Sequence, residues 1–457
     1  MFKELNKQPV RIISHLDADG ITACSIIIKA LQREQIPLCS SIIKQLNSDI
    51  LKELSKEDYP CYIFTDLGSS SLSEIKKILP NKTIFILDHH KMEEVNPEPI
   101  NLIHPHLFNI DGSKEISASG IAYLFAKSLN KKNEDLAHLA IIGAIGDIQE
   151  YKGFKHLNNK ILEDAIKIKK IKVITGLRIF GAQTRPIHKV LEYSTDPFIP
   201  GITGSEENAL NFLNELGINP REGNRFKKLV NLSEEELKRL ITGIILKRLN
   251  KIESPDDVLG PVYILEEEEN ENPTKDAKEF STLLNACGRL NKESLGLGLC
   301  LGDKKIKEMA LKTLTQYKKE ISEAINWFYK NRNTEKIIEK TGFTIINAED
   351  QIRDTLIGTL SSILSKSNLY QEDTFILSLA HTLDGQTKIS FRTTNKNPDL
   401  DLKQLLSEIT QKIGYETGGH KTAAGAVISQ EKEAIFIKNA IEILKQKTME
   451  EEIKQNV

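Results

Sequence analysis

The first 190 residues alternate short, continuous apolar runs with longer segments of helical spacing, and this alternation constrains the fold most strongly. Three runs, at residues 10–14, 61–65 and 83–87, are β-branched or aromatic and are followed by polar residues. Continuous apolar strands separated by helices are typical of a parallel sheet that is covered on both faces. The sequence therefore predicts an α/β protein with a doubly wound parallel N-terminal domain. In such sheets ligands bind beyond the carboxyl ends of the strands.

The sequence pattern changes near residue 193 and predicts a domain boundary there, because residues 194–201 are rich in turn formers. A helical connector is expected to follow, with the basic cluster 221–228 inside it. Helix formers without proline over 304–332 predict a long bridging helix. Beyond it, strands near 343–347, 374–380 and 388–394 and helices around 354–364 and 402–412 predict a second, smaller α/β domain.

These observations predict five segments along the chain. They are a parallel α/β domain over 1–192, a connector over 193–302, a bridging helix over 303–335, a second, smaller α/β domain over 336–450 and a charged tail over 451–457.

Composition narrows the class of protein. The 62 basic and 64 acidic side chains give a net charge of −2, which taken alone mildly disfavours a nucleic-acid partner. No stretch approaches the ~18 apolar residues of a membrane span, and the charged start lacks the apolar core of a signal peptide. We therefore expect a cytoplasmic protein with no membrane partner. The five cysteines include no C-x-x-C pair, which argues against a zinc ribbon or a disulfide framework.

Acidic and imidazole side chains follow all three predicted strands. Taken alone, an acid in such a place is equally well explained as a helix cap or a loop residue. Several strands that converge on like charges are not explained in this way, because the charges repel unless cations neutralise them. The residues are His15, Asp17 and Asp19 after the first strand, Asp66 after the second, Asp88, His89 and His90 after the third, and Asp147 at the end of the apolar helical run 139–146.

Carboxylates and imidazoles without a thiolate suit Mn²⁺ or Mg²⁺ better than structural zinc, and the histidines favour Mn²⁺. There are enough ligands for two ions that share one bridging carboxylate. Paired ions of this kind activate a water and stabilise the entering and leaving oxygens of a phosphoryl displacement. The residues themselves therefore indicate metal-dependent phosphoester hydrolysis.

The motifs also resemble a known family. HLDADG at 15–20, Asp66, the DHH triplet at 88–90 and GAIGD at 143–147 are similar to the four motifs of the DHH phosphoesterase superfamily. In the C-terminal part, GGHKTAAG at 418–425 and KISFR at 388–392 resemble the GGH motif and the arginine strand of the associated DHHA1 domain. NACGRL at 285–290 resembles the N-A-x-G-R segment of the RecJ nucleases. Length and layout are most similar to archaeal RecJ-like exonucleases, including those found with replication-fork or helicase partners.

The resemblance implies a role for each matching residue. One metal would be held by His15, Asp17 and Asp66, and the other by Asp19, Asp66, His89 and Asp147, with Asp66 bridging. His90 would face the scissile phosphate and assist the leaving oxygen, while Asp88 would orient the imidazoles. The residues implied to bind substrate phosphates are Gly418, Gly419, His420, Lys421, Arg289 and Arg392.

Two details remain open at this stage. Bacterial RecJ usually has Asp where this chain has His15, and other branches of the superfamily have His, so the difference bears on metal preference. Ser117 begins a predicted helix whose amides are candidates for binding a phosphate. An ordinary N-cap at Ser117 explains the same residue equally well.

The sequence thus predicts a RecJ-like exonuclease that removes nucleotides from the end of single-stranded DNA or RNA in replication or repair, with two Mn²⁺ ions and Mg²⁺ as the alternative. One other interpretation is a phosphodiesterase for nano-RNA or cyclic dinucleotides, although those relatives are usually shorter and lack the N-A-x-G-R segment. The other is a replication-fork scaffold with little catalysis, although such scaffolds have lost metal ligands that are present here.

Overall fold

The computed structural model describes residues 8–249, 251–252, 254–367, 369–394, 400–415 and 417–455, with the backbone alone for His420 and 450–455. The chain divides into two compact units, Met1–Leu314 and Thr315–Val457. Within the described ranges, no helix is both long enough and apolar enough to cross a bilayer.

A parallel sheet forms the centre of the first unit. Its strand order is β2-β1-β3-β4-β5, and every neighbouring pair is parallel. The predicted parallel α/β fold is therefore confirmed, including the three predicted strands. The sequence missed the two edge strands. The strands are β1 (Val10–His15), β2 (Leu38–Ile43), β3 (Cys61–Thr65), β4 (Thr83–Leu87) and β5 (Asn101–Ile103).

The strand order reverses direction between β1 and β3, because the chain adds β2 on one side of β1 and then crosses to the other side. Such a reversal leaves a crevice beyond the carboxyl ends of the two strands, where ligands bind in open α/β sheets. The sheet is flanked by α1 (Ala18–Arg33), α2 (Ser48–Ser55), α3 (Leu72–Ile78), α4 (Ala118–Leu129), α5 (Ala137–Gly146) and α6 (His156–Lys167).

Apolar side chains on both faces hold this sheet in place. One face packs Ile13, Phe64 and Ile86 against side chains of α2 and α3. Helix α1 is buried along nearly its whole length, because it contacts α4 and α5 as well as the sheet. Burial on two sides explains why apolar and small residues occupy most of α1 between Ile21 and Leu31. It also fixes the residues at the start of α1 rigidly against the sheet edge.

The middle of the chain is helical with two small antiparallel pairs, β6 with β9 and β7 with β8. Its core joins side chains before and after residue 193, including Ile187 and Phe212. The elements are β6 (Ile171–Leu177), α7 (Ile187–Glu192), α8 (Glu206–Glu215), β7 (Arg221–Glu222), β8 (Arg225–Phe226), α9 (Glu234–Arg248), β9 (Leu259–Leu265), α10 (Ala277–Arg289), α11 (Glu293–Leu301) and α12 (Lys304–Asn331).

The basic cluster 221–228 is not helical, contrary to the expectation from the sequence. Glu222 pairs with Arg225, so that Gly223 and Asn224 form a two-residue hairpin turn. Gly223 has a φ of +59°, and Gly-Asn is a turn signal that outweighs the helical composition around it.

A six-stranded mixed sheet forms the second unit, in the order β10-β11-β12-β13-β15-β14. Its core includes Phe375, Phe391 and Phe436. The predicted strands and helices are present, but β10, β14, β15 and α15 were not predicted. β14 is Gly-rich and has low strand propensity. The elements are β10 (Ile337–Lys340), β11 (Phe343–Asn347), α13 (Asp354–Lys366), β12 (Phe375–His381), β13 (Gln386–Thr393), α14 (Leu402–Gln411), β14 (Thr417–His420), β15 (Ala423–Ser429) and α15 (Glu433–Gln455).

Candidate metal centre

All eight predicted acidic and imidazole residues lie at strand or helix ends of the first unit. Three overlapping groups have ligand atoms within 4.8 Å of one another, which is close enough to hold metal ions. Asp66 and His89 each belong to two of the groups. The groups are His15, Asp17 and Asp66; Asp19, His89 and Asp147; and Asp66, His89 and His90.

Asp66 occupies the middle of the cluster. One of its carboxylate oxygens lies 3.3 Å from His15 Nδ1, and the other lies 3.4 Å from His89 Nε2. None of these four buried atoms has a hydrogen-bond partner. Asp66 also has a φ of +61°, a left-handed conformation that is costly for a non-glycine residue and that concentrates at functional sites. Buried polar atoms without partners need an explanation, and a bound cation supplies one.

The imidazole of His89 has a defined orientation. Its Nδ1 donates to the Gly112 carbonyl at 2.6 Å, and this bond leaves Nε2 as the nitrogen with a lone pair. Nε2 lies 3.2 Å from a carboxylate oxygen of Asp147 and 3.7 Å from one of Asp19. A histidine held through one nitrogen so that the other faces carboxylates is typical of a metal ligand.

Asp19 belongs to α1, and its carboxylate lies at the N-terminus of α4. Its carboxylate accepts hydrogen bonds from the amides of Ala118 at 2.7 Å and Ser119 at 3.0 Å. Burial, followed by the charge of Asp66, nevertheless raises the pKa of Asp19 to about 6. The two amides that were candidates for a substrate phosphate therefore bind Asp19 instead. Ser117 is buried and caps α4 by accepting from Gly120 N, as the N-cap interpretation expects.

Asp88 is the most heavily hydrogen-bonded acid of the cluster. It accepts from Ser69 Oγ at 2.6 Å, from the amides of Ser69 and His89, and from His90 Nδ1 at 2.8 Å. Burial alone would raise the pKa of Asp88, but the hydrogen bond and charge of His90 lower it below its usual range. With its oxygens committed in this way, Asp88 orients the histidines. It belongs to none of the three groups.

The electrostatics of the site also favour a cation. Burial raises the pKa of Asp66, and the charge of Asp17 raises it further. Burial opposes protonation of His15 and His89, yet their carboxylate neighbours raise the pKa of both well above its usual value. The cluster therefore needs positive charge, which protons supply in the absence of metal and which a divalent ion supplies when bound.

Close backbone packing supports the loop between β1 and α1. Asn285 Oδ1 accepts from Ala18 N at 3.0 Å. A Cβ at Gly288 would lie 1.8 Å from the Leu16 carbonyl oxygen, so only glycine fits there. The N-A-x-G-R segment thus braces the loop that carries Asp17 and Asp19. Arg289, predicted to bind phosphate, is the last residue of α10 and is partly exposed.

Two residues that the sequence did not single out, Gln149 and Asn158, support the cluster, and His104 supports it as well. Gln149 Nε2 donates to the Gly112 carbonyl at 3.0 Å, which is the oxygen that also binds His89. Asn158 Nδ2 donates to Gln149 Oε1 at 2.6 Å. His104 Nε2 lies 2.7 Å from the His90 carbonyl. Gln149 follows Asp147 by two residues, and this proximity was the available signal.

The C-terminal motif residues lie in the second unit. Arg392 on β13 donates to Ser362 Oγ at 3.1 Å and to the Phe391 carbonyl. Gly418 and Gly419 lie on β14, and exposed Lys421 lies in the turn before β15. The side chain of His420 lies outside the described residues.

Comparison with protein families identifies three domains along the chain. Residues 9–144 match the DHH family N-terminal domain, residues 179–258 match the DHH-CID domain, and residues 344–446 match the DHHA1 domain. An uncharacterized protein of Methanocaldococcus jannaschii is 31% identical over 447 residues, which cover 95% of this chain and 93% of that protein.

Two further relatives share the fold. The single-stranded-DNA-specific exonuclease RecJ of Thermus thermophilus is 22% identical over 193 residues, covering 40% of this chain and 28% of RecJ. Its crystal structure with Mn²⁺ matches at a TM-score of 0.58 and 14% identity, over 96% of this chain and 52% of that one, so this chain spans about half of RecJ. CDC45 from Entamoeba histolytica matches at a TM-score of 0.65 and 12% identity, over 96% of both chains. Because these domain models match and because a relative is 31% identical over 95% of this chain, the chain belongs to the DHH family.

Proposed function

We propose that this protein is a metal-dependent phosphodiesterase that removes nucleotides from the end of single-stranded DNA or RNA, with two Mn²⁺ ions as its resident metals and Mg²⁺ as the alternative. One observation carries the proposal. The buried atoms Asp66 Oδ1, Asp66 Oδ2, His15 Nδ1 and His89 Nε2 lack hydrogen-bond partners and lie together at the reversal of strand order.

The donor set fits two ions. His15, Asp17 and Asp66 would hold one, and Asp19, His89 and Asp147 would hold the other, with Asp66 shared. Such ions, when bound, activate a water and neutralise charge on the phosphate. The third group, which includes His90, is less suited to a ligand role because Asp88 already engages His90 Nδ1.

His90 would act on the leaving oxygen. Because Nδ1 is bound to Asp88, proton transfer falls to Nε2. Burial lowers the proton affinity of this imidazole, but the Asp88 hydrogen bond outweighs it and raises the pKa of His90 to about 9 in the metal-free chain. A protonated imidazole is a competent general acid for an alkoxide leaving group.

Glycines of the second unit suit phosphate binding. Gly419 has a φ of +106°, and a Cβ there would lie 2.4 Å from the Ala423 carbonyl oxygen, whereas a Cβ at Gly418 would meet nothing. Open space beside a glycine allows a phosphate to approach the backbone amide. We include His420, Lys421, Arg289 and Arg392 as charged or imidazole contacts, on the strength of the motifs that contain them.

One of the relatives supports this substrate class. RecJ of Thermus thermophilus carries the description of a single-stranded-DNA-specific exonuclease, and its crystal structure holds Mn²⁺. The overall net charge is only weak evidence against a nucleic-acid partner. The acidic side chains of the cluster contribute to that charge, and two divalent ions would neutralise them.

The direct test is digestion of end-labelled single strands. Purified protein with Mn²⁺ should release nucleotides from a DNA or RNA twenty-mer faster than it cleaves a dinucleotide, and Asp66→Ala should abolish release. Asp49→Ala, which removes an exposed acid of α2, is the matched control and should digest at the wild-type rate. If the wild type cleaves only dinucleotides, the enzyme acts on very short substrates. Release of nothing from any strand, or full activity in Asp66→Ala, contradicts the proposal.

A scaffold role is the second candidate, because the likeness to CDC45 covers 96% of both chains. It predicts a replication-fork or helicase partner and no nucleotide release. Titration of Mn²⁺ into the metal-free protein distinguishes the two functions. A scaffold does not need the ions and should bind them no more tightly than Asp66→Ala does.

A further inference from the structure

The segment directly after Asp147 carries two apolar side chains that are exposed to solvent. Tyr151 is 50% exposed and Ile148 is 63% exposed. Ile148 also has a φ of +61°, which for a β-branched residue is a genuine outlier. A strained, exposed isoleucine next to a candidate metal ligand is costly unless the surface has a use.

Cations surround the tyrosine ring. The Arg178 guanidinium carbon lies 5.3 Å from the ring centroid of Tyr151, and Lys152 Nζ lies 5.7 Å from it. Arg178 also donates to the Asp257 carbonyl at 2.9 Å, so its guanidinium is anchored. An anchored cation at this distance orients the ring. Exposed Lys152 and Lys155 add positive charge along the same segment.

We infer that Tyr151, with exposed Ile148 three residues before it, is a stacking platform for an unpaired nucleobase of the strand whose phosphate lies at the metal cluster. Aromatic rings flanked by cations are the usual means of binding single-stranded nucleic acid without sequence preference, since every base has a π-face and every nucleotide a phosphate. Four peptide units separate Tyr151 from Asp147, so their Cα atoms lie at most about 15 Å apart.

This inference rests on the proposed function and gives it a recognition element for bases. It explains how the enzyme would distinguish a nucleotide strand from other phosphodiesters, which the metals alone cannot do. Duplex DNA hides its base faces in the stack, so a platform of this kind also favours single strands.

The test compares two strands with identical phosphates. One is a fifteen-nucleotide thymidine strand, and the other is the same backbone with abasic residues throughout. In equilibrium binding with Ca²⁺, the wild type should bind the thymidine strand more tightly by about fivefold or more, the range of one stacked base. Tyr151→Ala should bind both strands alike, and Tyr151→Phe should behave as the wild type.

Tyr193 offers a matched control. It is 53% exposed and has the Arg185 guanidinium carbon 5.5 Å from its ring centroid, but it does not adjoin a residue of the cluster in sequence. Tyr193→Ala should keep the preference for the thymidine strand. The affinity for Mn²⁺ from isothermal titration should be equal in all four proteins and reports on the metal cluster alone.

The outcomes separate the two proposals. If Tyr151→Ala still prefers the thymidine strand, or if Tyr193→Ala loses that preference to the same extent, the stacking proposal for Tyr151 is wrong while the proposed function stands. If the wild type binds neither strand and hydrolyses no strand, both fall. If the wild type hydrolyses strands without preferring the thymidine strand, only the platform falls.

Discussion

His89 and Gln149 donate hydrogen bonds to the same backbone oxygen, that of Gly112, at 2.6 and 3.0 Å. A Cβ at Gly112 would lie 2.5 Å from the His89 carbonyl oxygen, so this backbone approach requires glycine. The shared oxygen fixes the His89 imidazole with Nε2 toward Asp147. Gln149 is thus a positioning residue for the metal cluster.

Replacing Gln149 with leucine should weaken Mn²⁺ binding about tenfold, because Gln149 helps to hold the Gly112 carbonyl that orients His89, and loss of such an outer partner of a metal-ligating histidine typically has this effect or a larger one. Isothermal titration of Mn²⁺ into the metal-free variant measures it. Gln183→Leu is the matched control, since Gln183 is also buried but accepts from Glu271 N in the connector. Equal affinities in wild type and Gln149→Leu would contradict the role.

Asp66→Asn should stabilise the metal-free protein while abolishing its response to Mn²⁺. The environment disfavours a charged carboxylate, since burial and then Asp17 raise the pKa of Asp66, and asparagine tolerates a positive φ. Thermal unfolding with EDTA should therefore show a higher Tm than for the wild type.

With Mn²⁺ at about 100 times its Kd, the wild type should gain about 2.7 kcal/mol, and Asp66→Asn should gain much less. A variant that is less stable than the wild type in EDTA would contradict the conclusion that the site disfavours a charged carboxylate at residue 66.

The sequence anticipated the sheet and most of the cluster because continuous apolar runs and the acids after them are local signals. Asp19 was expected in the cluster from its position after β1, but its bonds to the amides of Ala118 and Ser119 join residues about 100 positions apart. No pattern along the chain reports such contacts, so the sequence left a bound phosphate and an ordinary N-cap as equal explanations of this helix end.

The same limit applied to supporting residues. Gln149 and Asn158 are ordinary polar letters in sequence, and only tertiary folding connects them to His89. Edge strand β2 was missed because serines interrupt its apolar pattern and because one side of an edge needs less burial. The Gly223-Asn224 turn, by contrast, carried a readable hairpin signal that the surrounding basic residues obscured.

His138 should make stability fall as the solution becomes more acidic. Burial, followed by the charge of Lys170, lowers the pKa of His138 from 6.5 to about 4. The unfolded chain therefore binds a proton that the folded chain refuses between these pH values. The contribution is fully present above pH 6.5 and declines by about 1 kcal/mol per pH unit down to pH 4.

Urea unfolding at pH 7.5 and 5.5 measures this loss, and His138→Gln should show a smaller loss than the wild type. The comparison removes the effect of other titrating groups, which both proteins share. An identical pH dependence in the two proteins would contradict the assignment.

Ile148→Asn should stabilise the protein and weaken its hold on single strands. The isoleucine is exposed and has a φ of +61°, so little buried area is lost while a left-handed strain of about 1 kcal/mol is relieved. The free energy of unfolding from urea titration should rise by about that amount.

Ile166→Asn is the matched control, because Ile166 is an exposed isoleucine with helical backbone in α6, where asparagine gains nothing and is slightly unfavourable. If Ile166→Asn raises the stability and Ile148→Asn does not, the backbone conformation after Asp147 carries no strain. One reason to assign that surface to a ligand is then lost.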